Sequence, residues 1–369
     1  MKVKLAFLAV LVAFLVLSMD SSLPAVDTRE IDLVLKKTVL DPQDLAIIDA
    51  FLAEAVQELV RERNFTEIAK RRAVIVSRKS EQGQYADQFS KSAQQHIQAG
   101  FTQAEALRPE KRQKNAIVNL LILINGLEDL RLLDMAVARL NDENAVVRYW
   151  AVNCLTSPAI VQQLNAQVTS SPVQAATIAA RLKPLIGTSS AETLSLIAEF
   201  ASSMNLPQAE ALLLDVADVR IKRYADWTVK HELSDIALLK MLEARITAAG
   251  SSLSKPDVAQ RFAQLYSYAI QRYLKGPVVL NDTQKGHLAS VLVEVQEKCV
   301  SRLMGSPQTT LRRALERENM AAISDEHDAL LGSGTTQGQL PARLAFDYGT
   351  DPAGAKRTAP IPLPDAPPK

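Results

Sequence analysis

The sequence predicts an all-α protein, an array of helical hairpins, and three observations support this prediction. The chain of 369 residues holds only 13 glycines and 5% aromatic residues, a composition that favours helices over sheets with many tight turns. From Pro42 onward, apolar residues recur every three or four positions, as in Leu45, Ile48 and Leu52, which is the spacing of one helix face. No stretch alternates convincingly with period two. Residues 72–76 are the best strand candidate, but helix-forming residues surround them.

The charge balance limits the kind of partner that the chain binds. Lys and Arg number 42 and Asp and Glu 41, so the formal net charge is +1. A general nucleic-acid binder needs a basic surface that displaces counterions, so we expect no nucleic-acid partner. The length fits about two domains or one elongated helical array.

The first 25 residues have the pattern of a secretory signal peptide. Lys2 and Lys4 precede an uninterrupted apolar run over residues 5–17. This run is shorter than the roughly 20 residues of an ordinary membrane span and suits a signal-peptide core, with cleavage after Ser18 or Ala25. We therefore expect a secreted or periplasmic protein that has no membrane contact once the signal is removed. An uncleaved N-terminal anchor is the alternative.

The chain has two cysteines, Cys154 and Cys299. In an oxidising compartment these two cysteines could form one disulfide. Both fall on apolar helix faces, however, and cysteine is among the residues most often buried without a bond. Two buried thiols are therefore the favoured interpretation.

Capping signals divide the chain into successive helices. Asp41 before Pro42 is an N-cap signal, and a polar helix from Gln84 is expected to end at Gly100. Later helices are separated by pairs of a capping residue with Pro or Gly at intervals of roughly 14 to 18 residues. Longer helices are predicted over residues 233–249, 257–274 and 283–304, with a last one from Pro307 to about Ile323.

These signals divide the chain into a signal peptide and four further regions. We predict an N-terminal helical region over residues 26–110, helical repeats over 111–230, and a long-helix region over 231–331. Residues 332–369 hold seven of the 17 prolines and five of the 13 glycines, so we expect a disordered tail. Pro360, Pro362 and Pro364 give it polyproline character. A spacer is the favoured interpretation of this tail, and a peptide ligand for another protein is the alternative.

Residues 115–158 contain a repeat-like motif. Six residues match it in register: Leu140, Asp142, Val147, Arg148, Ala151 and Leu155. The segment resembles a unit of the HEAT-repeat family, an armadillo-like α-solenoid, and the rest of the chain matches only in degenerate form. The resemblance implies an α-solenoid with partial repeats.

The same resemblance implies structural roles for the matching residues. Asp142 is expected to cap the second helix or to accept a hydrogen bond at the turn, and Arg148 to reach a neighbouring repeat. Val147, Ala151 and Leu155 would form the apolar stripe of that helix. None of these residues is proposed as catalytic.

Basic residues concentrate in two stretches. A candidate binding surface consists of Lys70, Arg71, Arg72, Arg78 and Lys79, and a second cluster of Arg108, Lys111, Arg112 and Lys114. Because acidic residues are interleaved with both, a solvated, salt-bridged surface is the favoured interpretation. An anionic partner, such as a cell-envelope polymer or an acidic protein, is the alternative.

Other chemistry-bearing residues lack the spacing of a known site. The stretch from His231 to Asp235 begins like a zinc-protease helix but has no second histidine, and residues 325–328 are interpreted as a solvated helix end. Phe262, Tyr266 and Tyr273 share a helix face, for which core packing is favoured over a carbohydrate- or peptide-stacking surface. We assign no catalytic, cofactor-binding or metal-binding residue and expect no cofactor.

The function expected from these features is an exported helical-repeat scaffold that binds another envelope or secreted protein. One alternative is an all-helical enzyme that acts on cell-wall or glycan material through Asp and Glu acid–base chemistry. A self-assembling structural envelope protein, hence a homo-oligomer, is the other. The chain is interpreted as a non-enzyme, with the enzyme alternative left open.

Overall fold

The chain folds into two helical units. A computed structural model describes residues 27–81, 83–166, 171–204, 206–249, 253–276, 279–351 and 353–366. The boundary between the units falls between Leu127 and Glu128. The described residues form helices and no β-strand, which confirms the all-α prediction. None of their helices combines the length and apolarity needed to cross a membrane, and the predicted signal peptide lies outside the described residues.

The first unit consists of five helices within the described residues. They are α1 (Arg29–Val34), α2 (Pro42–Arg61), α3 (Phe65–Val76), α4 (Gly83–Glu105) and α5 (Glu110–Leu127). The Asp41 carboxylate accepts hydrogen bonds from the Gln43 and Asp44 amides, and Asp44 accepts one from the Asp41 amide. This capping box confirms the predicted start of α2 and satisfies amides that the helix leaves unbonded.

Gly100 does not end its helix, contrary to the sequence expectation. It lies inside α4 and is buried. A Cβ atom at this position would lie only 2.9 Å from Val56 Cγ1 and 3.3 Å from Leu120 Cδ2. The glycine is therefore needed where α4 packs against α2 and α5, and helix packing outweighs its low helix propensity.

The second unit contains the remaining described helices. They are α6 (Leu133–Val137), α7 (Ala145–Thr156), α8 (Pro158–Ala166), α9 (Ser171–Leu182), α10 (Ala191–Ser203), α11 (Pro207–Ala225), α12 (Ser234–Thr247), α13 (Lys255–Lys275), α14 (Asp282–Val295), α15 (Ser301–Met304), α16 (Thr310–Glu316), α17 (Met320–Leu331) and α18 (Gln339–Leu344). A π-helical turn, Gln296–Val300, joins α14 to α15. The single helix expected from Pro307 is two helices, because the chain turns at Glu318 with a φ of 50°.

Helix α13 is the core of the second unit. It packs against α11, α12, α14, α17 and α18, and every residue from 262 to 270 is buried. Phe262 and Tyr266 are fully buried, and the Tyr266 hydroxyl donates to the Leu292 carbonyl at 2.8 Å. For these two aromatic residues the predicted core role is confirmed.

Both cysteines are buried in this unit and neither forms a disulfide. Burial raises the pKa of the Cys299 thiol to about 12, so the thiol stays protonated at neutral pH. Buried thiols, the interpretation that the sequence favoured, are therefore observed.

The tail prediction is wrong for the described residues from Gly332 to Ala366. These residues include α18 and place Phe346, Tyr348 and Leu363 in buried positions. The Tyr348 hydroxyl donates to the Leu331 carbonyl at 2.9 Å. The segment is ordered because a few widely spaced apolar side chains each fill a place on the helical core, which overall composition does not reveal.

A buried ion pair joins α11 to α12. Arg220 Nε and Nη2 donate to the two carboxylate oxygens of Asp235 at 2.7 and 2.8 Å, and the Tyr224 hydroxyl donates to Asp235 at 2.8 Å. Burial raises the pKa of Tyr224 well above its usual range, so the hydroxyl remains a donor. Each charged group of the pair has hydrogen-bond partners, which offset the cost of removing it from water.

We predict that Asp235→Asn lowers the free energy of unfolding of the second unit by about 3–5 kcal/mol, because it leaves Arg220 charged and buried without its counter-ion. Urea unfolding followed by circular dichroism measures the loss. Asp218→Asn is the matched control, since the Arg261–Asp218 pair is half-exposed and contributes about 1 kcal/mol or less. Equal losses in the two variants would contradict the assignment.

Candidate functional site

A polar face of α13 holds an extended segment of the same chain, residues 360–365. Gln264 binds both backbone groups of Ile361: its Nε2 donates to the Ile361 carbonyl at 3.0 Å, and its Oε1 accepts from the Ile361 amide at 2.8 Å. A glutamine amide is the side chain suited to this task, since it carries a donor and an acceptor in one plane.

Further along α13, two more side chains bind the same segment. The Leu363 amide donates to Gln271 Oε1 at 2.7 Å, and Lys275 Nζ donates to the Leu363 carbonyl at 2.5 Å. Lys275 also pairs with the Asp365 carboxylate at 3.0 Å. Because Gln264, Gln271 and Lys275 are spaced by seven and four residues, they lie on one face of the helix.

Trp227 completes the site from the loop between α11 and α12. Its indole Nε1 donates to the Pro364 carbonyl at 3.0 Å. The residue has a φ of 56°, an uncommon backbone conformation for a residue with a large side chain. We call the face formed by Gln264, Gln271, Lys275 and Trp227 the peptide groove.

The bonds of the peptide groove define what it recognises. All but one of them go to backbone groups, which every peptide presents when it is extended. A proline-rich segment suits such a site because its backbone forms no internal hydrogen bonds. Leu363 is 1% exposed and Ile361 is 44% exposed, so the groove buries Leu363 and leaves Ile361 half-exposed.

Beneath Trp227 lies a second buried charged group. The Arg272 guanidinium lies 5.1 Å from the centre of the Trp227 ring, and its Nη2 donates to Glu232 at 3.4 Å. Its Nε and Nη1 have no hydrogen-bond partner among the described residues. Burial lowers the pKa of Arg272. The floor of the groove is therefore polar and incompletely satisfied, which is uncommon in a protein core.

Ser267 and His327 form a polar contact that sequence reasoning missed. Ser267 Oγ lies 2.8 Å from His327 Nε2, and His327 Nδ1 lies 2.9 Å from Asp328 Oδ1. The arrangement has the order of a hydrolase triad, but Ser267 is fully buried and its oxygen also accepts from Gln271. The contact therefore positions Gln271 for the groove and leaves the hydroxyl no access to a substrate.

The interpretation of residues 325–328 as a solvated helix end is thus wrong for two of them. His327 is buried against α13, and Glu326 accepts a hydrogen bond from Gln296 at 2.8 Å. Burial raises the pKa of Glu326. Within the described residues, no group of three or more His, Cys, Asp or Glu side chains has the arrangement of a metal site.

The candidate basic surface in the first unit does not form one continuous patch. Arg71 is buried between the Glu58 and Glu62 carboxylates, so it is not a surface cation. This corrects the prediction that Arg71 belongs to a binding surface, because the residue lies on the face of α3 that is turned towards α2. The Arg72 guanidinium donates to Asn119, which directs it towards α5.

The other residues of the candidate surface lie nearer to solvent. Arg78 binds both Asp32 oxygens at 3.1 and 3.2 Å. Lys70 is exposed and pairs with Glu67 at 2.8 Å, and Lys79 is partly exposed. Salt bridges of this kind agree with the interpretation that the sequence favoured.

The residues of the HEAT-like motif lie in α7 and in the turn that precedes it. Val147, Ala151 and Leu155 form the buried stripe of α7. Asn144, and not Asp142, is the N-cap, because its side chain accepts from the Val146 and Val147 amides.

The two charged residues of the motif stabilise the turn before α7. Asp142 accepts a hydrogen bond from the Asn144 amide at 2.8 Å. Arg148 donates to the carbonyls of Asp142 and Glu143, at 2.7 and 2.9 Å. Arg148 therefore closes its own turn, whereas the resemblance implied a contact with a neighbouring repeat.

We predict that Gln264→Ala opens the segment over residues 357–366 without unfolding α13. The variant loses two hydrogen bonds, together about 2 kcal/mol, which corresponds to a roughly thirty-fold rise in the open fraction. Trypsin cleavage after Lys356 or Arg357 should accelerate accordingly. Gln162→Ala, at an exposed position of α8, is the control. A cleavage rate unchanged in Gln264→Ala would show that the two bonds do not hold the segment.

Comparison with known proteins gives no relative from which a role is transferred. No family model matches this chain, and neither a curated protein nor a solved structure does. The resemblance of residues 115–158 to a HEAT unit therefore remains a prediction from the motif. The function has to be argued from the peptide groove itself.

Proposed function

We propose that this chain is an exported helical scaffold that binds an extended, proline-containing segment of another envelope or secreted protein through the peptide groove. The observation that carries the proposal is the set of bonds from Gln264, Gln271, Lys275 and Trp227 to the backbone of residues 361–364. Side-chain donors and acceptors that hydrogen-bond to a polypeptide backbone are typical of peptide-recognition sites.

The chain's own tail is the template for the partner. Its contacts favour a segment with an aliphatic residue at the position of Leu363, a following proline, and an acidic residue that pairs with Lys275. Trp227 adds the aromatic side chain that polyproline-binding grooves use. In this proposal the tail occupies the groove until a partner segment displaces it, and its attachment gives it the advantage of a high effective concentration.

Export and repeat architecture belong to the same proposal. The signal-peptide pattern of residues 1–25 supports secretion, and the buried stripe of α7 supports a HEAT-like hairpin. A helical scaffold of this kind presents binding faces without catalytic groups.

The carboxylates of the cleft beside α14 and α16 do not support a glycosidase site at this place. The cleft has a volume of about 610 Å³ and is lined by Glu294, Glu297 and Glu316. Glu294 pairs with Lys240, and the hydrogen bond from Arg312 lowers the pKa of Glu297. A glycosidase acid needs the opposite shift, a raised pKa.

We predict that the full-length variant Leu363→Asp binds a fluorescein-labelled peptide of residues 357–369 in trans, because burying a charge at this position ejects the tail. Fluorescence anisotropy measures the binding. The wild-type chain and Ile361→Asp, in which the substituted side chain is half-exposed, should bind the peptide at least about ten-fold more weakly, because their grooves remain occupied.

A peptide with Leu363→Ala should also lose affinity for the Leu363→Asp chain. Absence of peptide binding by that variant, with its α-helical content intact by circular dichroism, would refute the proposed groove.

A photo-crosslinking amino acid identifies the partner in the native cells. Placed at Thr228, beside Trp227, it should link the chain to a peptide with the aliphatic–proline–acidic pattern. The control position is Val146, which is exposed on α7. Links from Thr228 to the chain's own tail alone would contradict a partner-binding role and favour an internal strap.

A further inference from the structure

The first unit contains an open cleft that the peptide-binding proposal does not use. It lies where the end of α2, the start of α3 and the start of α5 meet, and its volume is about 310 Å³. This is at the lower end of the range for small-molecule sites, about 300–1,000 Å³. Its apolar lining includes Leu59, Val60, Ile68 and Ala116, all buried.

Phe65 extends this apolar lining to the rim of the cleft. This residue is 71% exposed, although phenylalanine is normally among the most buried residues. Pro109 lies on the rim as well and is exposed. An apolar ligand body therefore has both a buried floor and an aromatic edge to contact.

Four cations line the same cleft: Arg63, Arg108, Lys111 and Arg112. The exposed side chains of Arg63 and Lys111 have no acidic partner among the described residues. Arg108 and Arg112 donate to backbone carbonyls, those of Leu107 at 2.8 Å and Arg61 at 3.3 Å. The charges of these four groups are thus not neutralised by a salt bridge to any described residue.

The carboxylate of Glu62 lines the cleft but does not compensate this charge. It accepts hydrogen bonds from the amides of Asn64 and Arg63, at 3.0 and 2.8 Å, and from Arg71 at 3.3 Å. The Asn64 amide is the main cause of its lowered pKa. Glu62 is therefore ionised and already bound, and the cleft keeps an excess of positive charge.

One donor in the cleft lacks a partner. Arg112 Nε is inaccessible to solvent and makes no hydrogen bond with any described residue. A buried guanidinium donor of this kind costs free energy unless something accepts from it. An anionic group bound beside Arg112 and Lys111 would balance the charge of this guanidinium.

We propose that this cleft binds a small amphiphilic anion, a carboxylate or phosphate group attached to an aliphatic body. The anionic group is held by Arg63, Lys111 and Arg112, and the aliphatic body lies on Phe65 and the apolar floor. The cations without a salt bridge among the described residues match the anionic group, and the exposed ring of Phe65 with the apolar floor matches the aliphatic body. This site lies in the first unit and is independent of the peptide groove.

Isothermal titration calorimetry of the full chain tests the proposal, with sodium decanoate and decyl phosphate below their micellar concentrations as probes. Both should bind, and added salt should weaken the binding. Butyrate and inorganic phosphate should bind at least about ten-fold more weakly, because they lack the apolar body. Decyltrimethylammonium should not bind at this site.

Two variants locate the binding. Arg63→Glu/Lys111→Glu should weaken decanoate binding at least about ten-fold. Lys36→Glu/Lys91→Glu, at exposed positions elsewhere in the unit, makes the same change in net charge and should leave the affinity unchanged. Phe65→Ser should weaken decanoate binding while leaving thermal unfolding unchanged, since the ring is exposed.

Four outcomes would overturn the proposal. Equal effects of the two charge-reversal variants would mean non-specific attraction, and equal affinity for inorganic phosphate and decyl phosphate would mean a plain anion site. Binding to anionic phospholipid vesicles but not to free decanoate would assign the cleft to a membrane surface. Binding only to acidic peptides would assign it to a protein partner.

Discussion

The second unit depends on one constraint: α13 is buried on nearly all sides although it carries several polar side chains. Helices that are buried all round are usually apolar all round. In α13 the buried positions include Gln264, Ser267 and Arg272. Each polar group without a partner there costs about 1–3 kcal/mol, so the surrounding chain has to supply donors and acceptors at defined places.

Three different parts of the chain meet that requirement. In the tail, the backbone of Ile361 bonds Gln264. His327 of α17 bonds Ser267, and Glu232 in the loop after α11 bonds Arg272. Among the described residues, Arg272 alone of these three retains donors without a hydrogen-bond partner. The polar face of α13 therefore explains both the order of the tail and the existence of the peptide groove.

The helices and most of the core could be predicted from the sequence because their determinants are local. The capping box at Asp41 and the stripe of Val147, Ala151 and Leu155 are set by residues a few positions apart. Gly100 was predicted wrongly because its role is not local. The glycine packs against Val56 of another helix, which local helix propensity does not describe.

The peptide groove could not be predicted because its pairs are remote in the sequence. Gln264 and Ile361 are 97 residues apart, and Ser267 and His327 are 60 apart. The proline and glycine content of the tail is typical of disorder, yet the tail places Phe346, Tyr348 and Leu363 in buried positions. The polyproline pattern of residues 360–364 was a usable signal, since a peptide-ligand role for it was one of the two interpretations.

Amide hydrogen exchange at Ile361 and Leu363, resolved by NMR in the intact chain, measures whether the tail is bound to α13. If the two amides donate to Gln264 and Gln271, they should exchange at least about a hundred-fold more slowly than in the isolated peptide of residues 357–369. Exchange at the rate of the free peptide, with the amides of α13 still protected, would show that the helix is buried without the tail and would contradict the account.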